Sequence, residues 1–350
     1  MKMKQTQPSG KKRYQALKTI GKIVISGGIL YFLFQKCDWI SLVAALQHAN
    51  ITQILLALLF VEITHVVGAI RWQLLCNKAK FWPLFKLVFV SRLYSTILPG
   101  QLFGEAAKVV YISQSSQDIT PEEATVSVVV DKIVGLIGLL LVGIGGALFS
   151  AGMRDQSVIL WFAICAAALV LIVALPAWPP MSRLINRILD AIAARFTKTA
   201  GFIARLKLFL TSWQAYLKTP HILALSVTLG AVFQLISTAS MFFLGRAIGI
   251  DVALVDWCWI FAVLSIALLL PVSFAGLGVR EATLVGFLGA LGVRPELALS
   301  VSLLSLMIQI IDSLIGGVIT LFDPSMRIRK REQISSTASN QEAERDGSET

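Results

Sequence analysis

The sequence predicts an all-α polytopic membrane protein with six full spans and two Pro/Gly-broken re-entrant hairpins arranged as an inverted repeat. Three observations carry this: an unusually apolar composition, a series of apolar segments of spanning length, and basic blocks at alternate segment ends. Of 350 residues, 56% are hydrophobic and 15% charged, and the mean hydropathy is +0.76. A large soluble helical protein would need polar helix faces, whereas these apolar stretches run around the whole helix.

The net charge of +11 is gathered in blocks beside the apolar segments. These are Lys2, Lys4, Lys11, Lys12, Arg13, Lys18 and Lys22; Arg71, Lys78 and Lys80; the 183–218 stretch; and Arg327, Arg329, Lys330 and Arg331. No aromatic interleaving accompanies them, so nucleic acid is not an expected partner. By the positive-inside rule all four blocks face the cytoplasm, which predicts a multi-pass protein of the cytoplasmic membrane with both termini inside.

Along the chain, a basic tail (1–18) precedes an apolar run at 19–36 that lacks a small-x-small cleavage site and reads as a retained anchor. Further spans are expected at 52–75, 124–149, 157–177, 221–245 and 296–321, each long enough to cross a core of about 30 Å. The first membrane half is then 19–178 and the second 221–322, joined by a connector at 179–220 and followed by a polar tail, 323–350, expected to be disordered. In the connector, Leu184, Ile188 and Ile192 recur every four residues, while Arg183, Arg187, Arg195, Lys198, Arg205 and Lys207 dominate the polar positions. This is either an amphipathic helix or helix pair on the inner leaflet, or a plain linker whose cations fix topology.

Charge parity decides how 81–116 and 255–292 lie. The first must begin and end inside and the second must begin and end outside. Two broken hairpins satisfy this, as do paired short crossings that bring the helix number to eight or more. Both regions run through a Trp-bearing start, a Leu-Pro step (Leu98, Pro99; Leu270, Pro271), a glycine cluster and a Glu-Ala end (Glu105, Ala106; Glu281, Ala282). Ordered similarity between hairpins entering from opposite faces suggests an inverted repeat, whose broken helices commonly meet at a midplane binding site.

Ionisable residues at membrane depth mark pathways or partners. In the first hairpin, Pro99, Gly100 and Gly104 free backbone amides beside Glu105 and Lys108, which share a helix face if helix resumes at Gly104. Such a helix start with a cation can hold phosphate. In the second, Gly276 and Gly278 precede Arg280, suited to bidentate phosphate binding, and Glu281, able to restrain it or to pair with Lys108. The competing reading is a tightly packed turn with a buried ion pair. Asp131 and Lys132 lie within the 124–149 span, and Arg71-Trp72 is either a site or an interfacial anchor. Lys86 and Arg92 either snorkel or line a cavity. Glu62, His65, Gln234, Gln309 and Asp312 are interhelical hydrogen-bonding groups or pathway residues.

Cys37, Cys76, Cys165 and Cys258 are widely spaced and read as buried small hydrophobes; with His48, His65 and His221 they make no ligand spacing, so metal ligation is not expected. The Gly-x-Gly follows no strand, there is no Walker A loop, and no nucleophile-base set is visible. No cofactor and no catalytic residue are expected.

The segments Arg71-Trp72, Leu98-Pro99-Gly100 with Gly104-Glu105, Asp131-Lys132, and Gly276-Leu277-Gly278-Val279-Arg280-Glu281 together resemble the lysylphosphatidylglycerol synthase transmembrane-domain family, also called flippase-like membrane proteins, over about residues 20–322. That family often has Arg where Lys108 and Lys132 stand; the charge is kept, but lysine offers a point charge instead of a planar fork. The resemblance implies a protein that moves or binds a lipid between leaflets, without the soluble aminoacyl-transfer domain. Its partners would be membrane lipids, anionic or polyprenyl-phosphate. The alternative it implies is a non-transporting protein that presents lipid-linked substrate to a glycosyltransferase or other envelope-lipid enzyme.

Overall fold

A computed structural model describes residues 39–97, 102–115, 119–150, 156–174, 178–195, 200–269 and 276–323. The expected anchor at 19–36, both tails, Cys37, Pro99, Gly100 and the Leu270-Pro271 step lie outside the described residues. Those described form helices and connecting turns, with no strand among them. In chain order they are α1 (Trp39–Gln47), α2 (Ile51–Leu75), α3 (Phe81–Ile97), α4 (Leu102–Ser115), α5 (Pro121–Phe149), α6 (Gln156–Ala174), α7 (Pro179–Arg195), α8 (Ala200–Leu217), α9 (Pro220–Ala247), α10 (Leu254–Leu269), α11 (Val279–Ala290) and α12 (Pro295–Phe322).

Among the described residues four helices, α2, α5, α9 and α12, are long and apolar enough to cross a membrane. At about 1.5 Å per residue they measure roughly 38 to 44 Å, enough for a tilted crossing. Their starts are encoded locally. Asn50 accepts hydrogen bonds from the amides of Thr52 (3.0 Å) and Gln53 (3.3 Å), satisfying donors that α2 would otherwise leave open. Thr120 and Glu123 form a reciprocal capping box on α5, and Pro121, Pro220 and Pro295 occupy first positions where the missing N–H costs nothing. The predicted 157–177 span is α6, of 19 residues. The short α1 had no signal in the sequence beyond its apolar residues.

The core is the antiparallel pair α2 and α9. At one end the Asn50 amide donates to the Ala247 carbonyl at 2.8 Å; near the other, the Tyr216 hydroxyl donates to the Leu75 carbonyl at 2.6 Å. Helix α5 lies against α9 at Gly138 and Gly230, where a Cβ on Gly138 would stand 2.4 Å from the Gly230 carbonyl carbon. Only glycine permits that approach. At the far end of α5, Ser150 bonds Asp256 at the start of α10. The large apolar side chains Leu55, Leu59, Ile63, Val66 and Ile70 of α2 are exposed and face lipid.

Both Pro/Gly-broken regions are helical hairpins. Arms α3 and α4 pack so closely that a Cβ on Gly104 would lie 2.1 Å from Ser95 Oγ and 2.3 Å from the Ser91 carbonyl oxygen. Arms α10 and α11 pack likewise. All four arms fall short of the long spans, at 17, 14, 16 and 12 residues. Helix pairing repeats between the halves: α3 packs on α12 as α10 packs on α5, and each long span contacts its own hairpin. The tight α5–α9 contact has no equally close counterpart between α2 and α12.

The 179–220 connector is a helix pair, α7 and α8, joined by an ion pair between Lys207 and Asp190. Leu184, Ile188 and Ile192 are exposed on α7, whereas Trp213 of α8 is buried against Leu75, Val126, Val130 and Val134. Cys76 and Cys258 are buried and Cys165 is half-buried; all three are free thiols.

Candidate functional site

Helix α12 positions the meeting point of the two hairpins. Lys86, near the start of α3, pairs with Asp323 just past the end of α12 at 2.8 Å. One hairpin arm later, Thr96 shares a 2.7 Å hydrogen bond with Ser313. From the opposite end of α12, Arg280 at the start of α11 donates to Gln309 Oε1 at 2.8 Å and to Ser305 Oγ at 3.3 Å. The Gln309 amide in turn donates to Thr96 Oγ1 at 3.4 Å. Gln309 stands 14 residues after Pro295 and 13 before Phe322. The described arm ends, Thr96 on α3 and Arg280 on α11, therefore meet halfway along a spanning helix, joined through one glutamine side chain.

Helix α11 begins through a glycine turn. Gly276 and Gly278 hold φ of +80° and +84°, a region that L side chains rarely adopt. Glu281 then folds back to accept from the Gly278 amide at 2.6 Å, and its other oxygen accepts from Ser302 at 2.6 Å. The expected option of a Glu281–Lys108 pair is not realised: the Glu281 oxygens are engaged by its own helix start and by α12, and Lys108 pairs with Glu105. Arg280 and Glu281 are both buried, at 5% and 2% exposed.

The remaining charged residues form a second cluster where α2, α4 and α5 converge. Arg71 makes a bidentate pair with Asp131, Nε to Oδ1 at 2.7 Å and Nη2 to Oδ2 at 3.0 Å, with both side chains less than a tenth exposed. The arginine is therefore structural to the bundle, not a free interfacial anchor. Its guanidinium lies 5.3 Å over the Phe233 ring, and a Cβ on Gly135 would come within 3.3 Å of it. Trp72 donates its indole N–H to Ser127 at 3.3 Å and presents its ring to Lys108 Nζ at 5.2 Å.

Glu105 receives both lysines, Lys132 at 2.7 Å and Lys108 at 3.3 Å. Helix α4 begins at Leu102, two residues earlier than the sequence suggested, and Glu105 and Lys108 share a face as expected. The five groups Arg71, Lys108, Lys132, Asp131 and Glu105 thus comprise three cations and two carboxylates, one positive charge in excess. Lys132 is half exposed and Lys108 mostly buried. An anion approaching from the Lys132 side would find one carboxylate shared between two ammonium groups.

The structure thus brings Arg71, Glu105, Lys108, Asp131 and Lys132 into one cluster and puts Gly276, Gly278, Arg280 and Glu281 at the midpoint of α12. It adds Gln309, Thr96, Ser302, Ser305 and Ser313, which sequence reasoning did not assign to the site. Gln309 carried a signal, as an amide inside an apolar span; the hydroxyls carried none, because serine and threonine within spans usually bond their own helix.

Residues 19–316 match the family model described as the lysylphosphatidylglycerol synthase transmembrane region. The chain belongs to this family of multi-pass membrane proteins. It is also 25% identical over 309 residues to a UPF0104 membrane protein of Pyrococcus horikoshii, an alignment covering 79% of this chain and 88% of the relative. No solved structure matches it significantly.

Proposed function

We propose that the protein holds the phosphate-bearing head group of a phospholipid or polyprenyl-linked lipid at the hairpins and moves it between leaflets of the cytoplasmic membrane, without catalysing a reaction itself. The observation that carries this reading is the cluster of Arg71, Lys108 and Lys132 against, among the described residues, Asp131 and Glu105. A cation in excess inside a membrane bundle is costly unless an anion completes it. Lys108 and Lys132 would meet the phosphate, Glu105 would hold them apart until it arrives, and Arg71 with Asp131 would fix the cluster to α2 and α5. Arg280 would serve the same anion at the second tip by exchanging Gln309 for a phosphate oxygen. Both termini lie in the cytoplasm on this reading, as the basic blocks require.

The test is leaflet accessibility of a fluorescent phospholipid in vesicles containing purified protein. The expected result is faster exposure of inner-leaflet lipid than in empty vesicles, and a loss of that gain in Glu105→Ala and Arg280→Ala. Unchanged rates in folded variants would sink the proposal. A second reading, presentation of a lipid-linked substrate to a glycosyltransferase, is favoured by the exposed apolar row of α7. It predicts no flip activity alone and co-purification of such an enzyme.

A further inference from the structure

Glu62 and His65 of α2 and Asp312 of α12 take no part in the hairpin site, yet they converge. One candidate ligand atom from each lies within 4.8 Å of the others, and His65 Nε2 is 3.1 Å from Asp312 Oδ2. His65 is 1% and Asp312 2% exposed, with Glu62 half-buried. The imidazole is backed edge-on by Phe89, with centroids 4.8 Å apart. His65 and Asp312 each stand ten residues before the end of their helix, about 15 Å in along the axis and so at membrane depth.

The charge balance is what needs explaining. Two carboxylates face one imidazole, and among the described residues no lysine or arginine is within ion-pair distance of either. Asp312 Oδ1 is buried without a hydrogen-bond partner among the described residues, although an orphaned buried acceptor is costly, more so when charged. The cluster bridges α2 and α12, which lack the close approach that Gly138 and Gly230 give α5 and α9.

We propose that Glu62, His65 and Asp312 bind a divalent metal ion of the zinc class. One imidazole nitrogen and two carboxylate oxygens are a donor set such ions favour, with a fourth position left for water or another oxygen. Two negative charges neutralise a divalent cation, which removes the cost of burying them. Bonds of about 2.0–2.2 Å put tetrahedral ligand atoms roughly 3.4 Å apart, so the three groups need close by little more than 1 Å. The expectation from the sequence that metal would not bind weighed histidines against cysteines; the partners here are carboxylates, one of them 247 residues from His65.

The full chain in lipid nanodiscs, stripped with chelator and titrated with zinc chloride, tests this. One zinc per chain is expected by calorimetry and elemental analysis, with an X-ray absorption shell of nitrogen and oxygen and no sulfur, and a raised melting temperature. Asp312→Asn and His65→Gln lose the ion, while His48→Gln with His221→Gln keeps it. Failure of the native chain to bind zinc would overturn the proposal, as would retained binding in Asp312→Asn. If Asp312→Asn does not fold, Glu62→Gln replaces it, and zinc binding at native affinity in that variant overturns the proposal equally.

Discussion

At the scale of single residues, burial and partner identity set what each charge can do. Arg71 and Asp131 are buried together and joined by two hydrogen bonds, so removing one partner strands the other in a low-dielectric bundle. Asp131→Asn should cost about 3–5 kcal/mol of stability, read as a lower unfolding temperature in detergent, and Arg71→Met with Asp131→Leu should recover much of it. Tyr216, on the connector outside the spans, has its phenol pushed up to about 12, by burial first and then by the negative charges of Cys76 and Glu123. Its folded value is above the unfolded value of about 10, so its contribution to stability is complete below pH 10 and fades as pH rises from there through 12. A tyrosinate absorbance titration of the native chain minus Tyr216→Phe should show one phenol ionising near pH 12; ionisation near 10 would show that the Tyr216 phenol is not buried beside Cys76 and Glu123 in solution. Much of this scale was legible: i,i+3 spacing alone placed Glu105 beside Lys108. The Arg71–Asp131 pair was not, because it joins residues 60 apart with no periodicity linking them. Nor was the bond from Glu281 to its own helix start, a local partner that displaced the distant lysine.

At the scale of elements, the two hairpins were legible because topology demanded them. Basic blocks predict which end of each span is inside, and a region expected to start and finish on one side cannot be a single crossing. What charge parity could not supply is where the tips meet. That depends on α12 offering Ser305, Gln309 and Ser313 one turn apart on one face, a row with no hydrophobic period to announce it. The meeting point has a direct check. Thr96→Cys with Ser313→Cys should form a disulfide on mild oxidation, since the native hydroxyls are 2.7 Å apart and a sulfur would stand in place of each oxygen. Thr96→Cys with Leu321→Cys, two turns further along α12, should not. If the distant pair crosslinks as readily, the hairpin does not stop at the helix midpoint.

At the scale of the whole molecule, the parts compose into two halves of like plan, each a long span, a broken hairpin and a second long span. The expected class, an all-α multi-pass protein of the lysylphosphatidylglycerol synthase transmembrane family, holds. The hairpins bring charges to membrane depth, where α12 meets Arg280 and Glu281 with serine and glutamine side chains, while leucine and isoleucine of the spans turn outward. The central claim built on this is that the excess cation shared through Glu105 awaits a phosphate-bearing lipid. Mass spectrometry of lipids retained by the gently purified chain tests it most directly. The native protein should retain a phosphate-bearing lipid, enriched over the surrounding membrane, that a folded Lys108→Met, Lys132→Met variant releases. A lipid profile identical to bulk membrane, or the same enrichment in the variant, would contradict it.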